Sequence, residues 1–425
     1  MSTRTTSTTT QGAGRAAGET GRLAAGDQAG GLGGGETDRL ATGQTDRLAT
    51  GQTDRLATGQ TGRLAAGETD RLATGETGTL AAGDQATRYP RLRSTPFSIL
   101  DRSRTRQGHP DAEALRDTID LARHAEALGY HRFWVSEHHS VPGVAGSAPT
   151  VLAAAVASAT SRIRVGTGGV MLPNHRPLVV AEQFGVLEAL FPGRIDMGLG
   201  RSVGFTDGIR RALGTDKEAA DSFATQLAEL TAYFTDGPRP HPQVHARPAE
   251  GLRVPAFVLA TGAGADIAAR AGLALVIGDL RGREAMQAAI DRYRSTFEPS
   301  PLWPHPYVIV SGTVAVAETP EEAHRLLLPE AWSMAYSRTH GVFPPLEPAD
   351  AITAREPDLS PKQRAFYESA LAGHIHGTES EVAAELNELL TQTGADEFLV
   401  TTSTYERVGL LESYERLARV VGLKG

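Results

Sequence analysis

Short apolar runs alternate with amphipathic stretches from about Pro90 to the end of the chain. This alternation is typical of βα units arranged around a parallel sheet. We predict eight strands, over Phe97–Asp101, His131–Glu137, Ile163–Gly169, Ile195–Leu199, Pro255–Ala260, Ala274–Ile277, Tyr307–Val316 and Glu397–Thr402. Eight βα units in residues 89–425 predict a single α/β domain, a (β/α)₈ TIM barrel.

Helices are predicted between and after these strands. The first has Asp111 as its N-cap, just after Pro110, and ends at Gly129. Its apolar positions recur at helical spacing and share one face, formed by Leu115, Ile119, Ala122 and Ala125. Four further helices are predicted over Pro149–Thr160, Leu178–Leu190, Lys217–Phe234 and Tyr405–Val421.

A long insertion precedes the last βα unit, between the seventh strand and Gly377. It contains large apolar residues at Trp332, Met334, Tyr336, Phe343 and Phe366. Long insertions at this end of a barrel commonly form lids that determine substrate choice. The same residues would also serve to pack the insertion onto the barrel, and the sequence leaves both interpretations open.

Residues 1–88 have a different composition from the rest of the chain. They contain a repeated octapeptide, such as ETGRLAAG at 19–26 and ETDRLATG at 36–43, and no Phe, Trp, Tyr, Val or Ile. One leucine per eight residues does not line one face of a helix, and the glycine that ends each unit disfavours one. We therefore predict a disordered repetitive tail rather than a solenoid.

The overall charge excludes some classes of partner. The formal net charge is −8, and no stretch is basic enough to follow a phosphate backbone, so nucleic acid is not expected as a partner. No apolar run reaches the ~18 residues of a membrane span and the N-terminus lacks a signal-peptide pattern, which predicts a cytoplasmic protein. The absence of cysteine excludes thiolate chemistry.

Catalytic residues are expected at the C-terminal ends of the strands. The second strand ends in Glu137-His138-His139. Adjacent side chains on a strand point to opposite faces, so the two histidines cannot share a metal ion there, and no further ligand is evident at metal-site spacing. We therefore predict no metal and expect one imidazole to act as an acid or base, its tautomer set by a neighbouring carboxylate.

Three other strand ends suggest a site for a flat, anionic ligand. Gly168-Gly169 would let a planar ring approach the backbone, and Arg201 could hold a phosphate or a ring carbonyl. The segment Thr261-Gly-Ala-Gly264 offers a hydroxyl and free N–H groups before a helix that begins near Asp266, which is a plausible phosphate seat. The third glycine of a dinucleotide fingerprint is missing, so a mononucleotide is favoured over NAD.

These strand ends, in this order, resemble the luciferase-like monooxygenase family. The matching segments are Arg132–His139, Arg162–Pro173, Ala181–Asp196, Gly377-Thr378 and Thr393–Thr402. The similarity extends from about Pro96 to Leu423 and excludes the repetitive tail.

The resemblance implies a cofactor and roles for individual residues. The family binds reduced FMN or, in a sister branch, an 8-hydroxy-5-deazaflavin coenzyme. His138 resembles the catalytic histidine, with Glu137 beside it, and Gly168-Gly169 lies where the family often has a non-prolyl cis peptide. Arg201, Thr261, Gly262 and Gly264 are then expected to bind the cofactor, although many relatives have Ser-Ser-Gly where this chain has Ala260-Thr261-Gly262.

The implied activity is a monooxygenase reaction that uses reduced FMN and O₂ to oxygenate a small organic substrate. The chemistry would come from the cofactor, while the protein orients it, excludes water and moves protons. Two alternatives stay open: hydride transfer with the deazaflavin coenzyme, and a flavin-binding protein without turnover. A separate flavin reductase and a homodimer are the expected partners.

Overall fold

The computed structural model describes residues 88–235, 237–278 and 282–425. The disorder predicted for residues 1–88 falls outside the described residues, apart from Arg88. Eleven strands are present in the described part of the chain. They are β1 Phe97–Asp101, β2 Arg132–Val135, β3 Arg164–Thr167, β4 Val170–Met171, β5 Ile195–Gly200, β6 Ala256–Ala260, β7 Ala274–Gly278, β8 Val308–Gly312, β9 Val314–Val316, β10 Ile375–Gly377 and β11 Glu397–Val400.

Eight of these strands form a closed parallel barrel, as predicted. Their order around the ring is β1, β2, β3, β5, β6, β7, β8 and β11. Pairing of β11 with β1 and of β3 with β5 closes it. The short β4 follows β3 after two glycines and continues the wall of the barrel beside β5.

The described helices follow the strands in the βα pattern. They are α1 Pro90–Ser94, α2 Asp111–Leu128, α3 Pro149–Ala159, α4 Pro177–Leu190, α5 Asp207–Ala212, α6 Phe223–Ala232, α7 Ala263–Arg270, α8 Arg283–Ser295, α9 Pro320–His340, α10 Ala349–Arg355, α11 Pro361–Leu371, α12 Glu379–Thr393 and α13 Arg407–Val421. No helix in the described ranges is both long and apolar enough to cross a membrane.

Three details differ from the sequence-based expectations. Asp111 is the first residue of α2 rather than its N-cap, because Pro110 takes the extended N-cap conformation without a side-chain cap. The stretch predicted as one helix over 217–234 is a 3₁₀ turn, Glu218–Ser222, followed by α6. The seventh predicted strand divides at Thr313 into β8, in the barrel, and β9, which pairs with β10 outside it.

Alternation along the strands separates two apolar layers. On β1, Phe97 and Ile99 belong to the large cluster between strands and helices, whereas Leu100 belongs to a smaller cluster with Trp134 and Phe257. Successive side chains of a strand point to opposite faces, so the smaller cluster fills the inside of the barrel. The barrel is therefore packed below the level of the strand ends.

The N-terminal end of the barrel is closed by a buried ionic network. Arg132 at the start of β2 contacts Asp196 of β5 at 2.9 Å and Glu397 of β11 at 3.0 Å. Burial alone would lower the pKa of Arg132, but the two carboxylates hold it above its ordinary value. Tyr307 donates its hydroxyl to Glu397 at 2.9 Å. These contacts tie three strands together at the end opposite the candidate site.

The insertion after β9 folds into α9, α10 and α11. Its own small core contains Trp332, Ile352 and Tyr367. The indole of Trp332 donates to Glu347 at 3.0 Å, and the Arg355 guanidinium lies over its ring. Trp332 therefore packs within the insertion, whereas the sequence-based alternative has it pack the insertion onto the barrel.

Candidate functional site

His138 lies just beyond the end of β2, next to the loop after β1. Its backbone N–H donates to Gly146 O at 2.9 Å, and its Nδ1 lies 3.1 Å from the Ser136 hydroxyl. Burial first, and then the charges of Arg102 and Arg104, lower the pKa of His138 to about 4. The imidazole is therefore neutral at physiological pH, and its hydrogen-bonding neighbour is a hydroxyl rather than the carboxylate expected from the sequence.

Glu137 points the other way and connects two segments of the site. Its Oε1 lies 2.6 Å from His139 Nε2 and 2.8 Å from His175 Nε2, and its Oε2 accepts the Met171 N–H at 2.9 Å. Burial opposes the charge on Glu137, but these hydrogen bonds outweigh burial and lower its pKa to about 2. Glu137 is therefore a fixed anion that anchors the chain following β3.

The structure adds a third potential metal ligand, His175, to Glu137 and His139, and the sequence did not reveal it. Glu137, His139 and His175 bring one potential ligand atom each within 4.8 Å of the others. His138 is excluded from this group, as expected for the neighbour of His139. The predicted absence of a metal is not tested by this geometry, since the hydrogen bonds to Glu137 satisfy the cluster as it stands. No signal in the sequence pairs His175 with Glu137, which lies 38 positions earlier.

Gly168 and Gly169 separate β3 from β4 and are joined by a cis peptide bond, as the resemblance implied. A Cβ atom added at Gly168 would lie 2.6 Å from Leu100 Cδ1, and one at Gly169 would lie 2.8 Å from Gly198 O. A side chain at Gly168 would have to displace the end of Leu100, and one at Gly169 would collide with backbone. Because Thr167 is the partner of Val135 in the sheet, this glycine pair lies beside the residues that lead to His138.

Arg201 follows β5 and is partly exposed. Its Nε donates to Ala220 O at 3.0 Å, and its Nη2 lies 3.1 Å from the exposed carboxylate of Asp221. Such an exposed ion pair contributes little to stability, so the guanidinium can exchange this partner for an anionic ligand at low cost.

Thr261 follows β6, the strand beside β5, so it lies near Arg201. Helix α7 begins at Ala263, three residues earlier than predicted, because Gly262 has a positive φ of 93° that starts the helix directly after the strand. Gly264 therefore lies in the first turn of the helix and not in a loop before it. The N–H groups of that turn can bind an anion.

The insertion reaches across this end of the barrel. Phe343 O accepts the N–H of Gly143, in the loop after β2, and the Phe343 ring lies 5.8 Å from that of Phe205, in the loop after β5. Leu346 exchanges backbone hydrogen bonds with the loop after β1. The segment is thus placed as a lid would be, while Trp332 and Tyr367 pack within the insertion.

A family model described as luciferase-like monooxygenase matches residues 95–397. Among curated relatives, YvbT of Bacillus subtilis is 39% identical over 77% of this chain and 97% of its own length. A luciferase-like monooxygenase of Escherichia coli is 35% identical over 75% and 95%. The N-acetyl-S-alkylcysteine monooxygenase of B. subtilis is 32% identical over 76% and 98%.

Solved structures with the same fold are found as well. The crystal structure of apo-MsnO8 is similar with a TM-score of 0.70 and 32% identity, over 78% of this chain and 99% of that chain. Two more distant structures share the fold. The oxygenating component of 3,6-diketocamphane monooxygenase from Pseudomonas putida, in complex with FMN, has a TM-score of 0.58 and 19% identity over 77% of this chain and 97% of that chain. An F420-dependent secondary alcohol dehydrogenase has a TM-score of 0.59 and 15% identity over 77% of this chain and 99% of that chain.

Proposed function

We propose that this chain, which belongs to the luciferase-like monooxygenase family, uses reduced FMN and O₂ to oxygenate a small organic substrate. The family and a flavin-type oxidoreductase fold are the premise. FMN as the cofactor, monooxygenation as the reaction and a separate reductase as the source of reduced flavin are the proposal.

The observation that carries the proposal is the glycine cradle at Gly168-Gly169. A Cβ atom at Gly168 would meet Leu100 and one at Gly169 would meet the Gly198 backbone, so this strand end carries bare backbone, which suits the approach of a flat isoalloxazine ring. A second group of residues lies past the ends of β5 and β6, on another part of the rim: Arg201, Thr261 and Gly262. Helix α7 begins directly after Gly262 and offers the free N–H groups of its first turn. A flavin ring against the glycine pair and a phosphate near Arg201 and the start of α7 would fit a mononucleotide.

The remaining residues orient the cofactor and handle protons. Bound reduced flavin would supply the electrons that activate O₂. His138 offers a neutral imidazole whose Nδ1 is paired with Ser136, so its Nε2 is the atom available to the reacting groups. Glu137 holds the chain after the glycine pair through Met171 N–H and His175. The insertion would exclude water by covering the mouth.

Binding and oxygen labelling together test this function. The full chain is titrated anaerobically with reduced FMN and, separately, with the reduced deazaflavin coenzyme, and is then exposed to ¹⁸O₂ with candidate substrates. We expect FMN to bind and one ¹⁸O atom to enter the product, which mass spectrometry detects. N-Acetyl-S-alkylcysteines are the first candidates, because the B. subtilis relative is named for them.

Matched glycine variants separate a cofactor cradle from a structural turn. An alanine methyl at Gly168 meets the movable end of Leu100, whereas one at Gly169 meets the Gly198 backbone. We therefore expect Gly168→Ala to fold but to bind FMN more weakly, and Gly169→Ala to fold poorly. Undiminished FMN affinity in Gly168→Ala would remove the cradle from the argument.

The other outcomes of the titration assign the chain differently. Tight binding of the deazaflavin alone, with hydride transfer and no ¹⁸O in the product, would favour the dehydrogenase alternative, whose fold this chain shares. FMN binding without turnover of any substrate would favour a non-catalytic flavin-binding protein.

A further inference from the structure

Two arginines at the end of β1 share one carboxylate from the insertion. Arg102 Nη1 lies 2.9 Å from Glu330 Oε1, and Arg104 Nε lies 3.1 Å from Glu330 Oε2. Both arginines follow Asp101, the last residue of β1, and Glu330 lies in the middle of α9. Each carboxylate oxygen therefore has its own guanidinium group.

The charges in this cluster do not balance. Two guanidinium groups meet one carboxylate, and within the described ranges no second carboxylate lies within ion-pair distance of either arginine. The neighbouring Asp101 accepts hydrogen bonds from the Ser103 N–H and the Thr118 hydroxyl instead. One positive charge is left over, and a charge removed from water is costly unless it is paired.

Burial makes this excess charge significant. The side chain of Arg104 is 5% exposed and that of Glu330 is 10% exposed, while Arg102 retains 23%. Arg104 also donates to the Ser333 hydroxyl at 2.6 Å. The Nη2 of Arg102 donates to Thr401 O and the Ser403 hydroxyl, both at 3.3 Å. The Nε atoms of both arginines and both oxygens of Glu330 are buried without a hydrogen bond among the described residues, so the three groups are in charge contact only. A buried cationic donor without an acceptor indicates a place for an anionic ligand.

The cluster lies past the C-terminal end of β1, against the insertion, and away from the expected phosphate site. Both guanidinium charges act on His138, which lies at the end of the adjacent strand β2. In the ring of eight strands β1 lies opposite β6, the strand that leads to Thr261. The cofactor phosphate and this cluster are thus on opposite sides of the rim. The anion expected here belongs to a different molecule from the flavin.

We propose that Arg102 and Arg104 form a subsite for the carboxylate of the substrate, beside His138. The inference rests on the proposed function, whose substrate class it narrows to small organic acids. The single uncompensated charge matches a monoanion, whereas a phosphate dianion would leave the cluster negative. A planar carboxylate also matches the edge of a guanidinium group. Glu330 neutralises one arginine and links the lid to the subsite.

Calorimetric titration of the full chain without flavin tests the subsite. The probes are N-acetyl-L-methionine and its uncharged methyl ester, which differ only in the carboxylate. We expect the wild-type chain to bind the acid about 10- to 100-fold more tightly than the ester, the range for a hydrogen bond to a charged group. Arg102→Gln should remove this preference, and Glu330→Gln should strengthen it.

The controls separate this result from loss of the fold and from failure of the proposed function. Arg123→Gln removes an exposed arginine paired with Asp120 and should change neither affinity. If Arg102→Gln folds poorly, Arg102→Lys takes its place in the test. It keeps the positive charge and should keep part of the preference for the acid. Equal affinity for acid and ester, or no binding of either at about 10 mM, would overturn the subsite. FMN binding, measured separately on each variant, reports on the proposed function alone.

Discussion

His138 stays neutral because burial and two nearby arginines oppose a second proton. We therefore expect His138→Ala to retain most of its FMN affinity and to lose about 10²- to 10⁴-fold in turnover, the usual range for a general acid or base. Single-turnover oxidation of substrate by preloaded reduced FMN measures the effect. His124→Ala is the control, because His124 lies on α2 with Glu415 as its neighbour. Turnover equal to that of the wild type would exclude a role for His138 in proton transfer.

The same imidazole determines how activity and stability depend on pH. With a pKa of about 4 in the folded chain against 6.5 for the free group, His138 is neutral from pH 6 to 8, so turnover should show no titration of His138 there. The unfolded chain takes up this proton first, so the contribution of His138 to stability is full above pH 6.5 and falls as the pH falls toward 4. Urea unfolding from pH 7 to 4 should show this slope in the wild type and a smaller one in His138→Ala.

Glu137 differs from the neutral His138 in being a buried anion, and the three groups that donate hydrogen bonds to it favour its charged form. Its pKa of about 2, against 4.5 for the free group, means that its contribution to stability is present above pH 4.5 and is lost as the pH falls toward 2. We expect Glu137→Gln to lower the free energy of unfolding by about 1–3 kcal/mol at pH 7. Urea denaturation at pH 7 checks this. An unchanged midpoint would show that the link to Met171 and His175 does not stabilise the site.

The sequence identified the residues at the strand ends but not their partners. Alternation predicts that His138 and His139 point apart, and only His139 contacts Glu137, whereas His138 contacts the Ser136 hydroxyl and not the carboxylate that the sequence predicts. The more distant groups around them come from chain segments brought together by the fold: Arg104 near His138, and His175 against Glu137. A charge pair such as Arg104 with Glu330 spans more than two hundred positions, and no local pattern predicts it.

At the scale of the elements, the ionic network at the base of the barrel joins strands that are far apart in the chain. Asp196 accepts from Arg132, Trp134 and Arg164, and it is fully buried. We expect Asp196→Asn to lower the free energy of unfolding by about 3–5 kcal/mol, because the buried arginine loses its counter-charge. Chemical denaturation measures the change, and FMN affinity of the folded fraction should not change.

A surface aspartate gives the matched control for this network. Asp120 pairs with Arg123 on the exposed face of α2, and Asp120→Asn should change stability by less than about 0.5 kcal/mol. A small effect from Asp196→Asn as well would mean that the base of the barrel does not depend on the ionic contacts.

Strand positions were predictable because all eight barrel strands are short apolar runs followed by helical periodicity. The misplaced boundaries have local physical causes. Gly262 begins α7 early by adopting a positive φ, and Thr313 ends β8 where the next residues leave the barrel to pair with β10. Pairing with a strand 61 positions away is a tertiary effect, so the apolar run over 307–316 predicts one strand where the structure has two.

At the scale of the whole molecule, α3 and α4 present an exposed apolar face. Val151, Val179, Val186 and Leu190 are between 46% and 70% exposed, and the three on α4 recur at helical spacing. Thr150 and Gln183 hold the two helices side by side. Exposed apolar residues grouped on neighbouring helices suit a protein interface, and the homodimer expected from the sequence would most simply be symmetric. We therefore propose that the chain forms a homodimer through this face.

Light scattering coupled to size exclusion tests the dimer. We expect the wild-type chain to elute with twice the mass of one chain and Leu190→Glu to elute as a monomer. Val408→Glu alters an equally exposed apolar residue on α13 and should remain dimeric. A monomeric wild-type chain, or a dimer that survives Leu190→Glu, would place the interface elsewhere or remove it.

The division of the seventh predicted strand has a consequence for how this protein could diversify. The segment from Ala317 to His374 leaves the barrel after β9 and returns at β10, and Ile375 lies directly opposite Val314. Its two ends are therefore neighbours in space, joined by a two-stranded clasp outside the eight-stranded ring. A unit attached in this way can be lengthened, shortened or exchanged between homologues while the barrel keeps its register. Because the proposed function places this insertion over the barrel mouth, chimeras that trade only these residues are natural starting points for engineering.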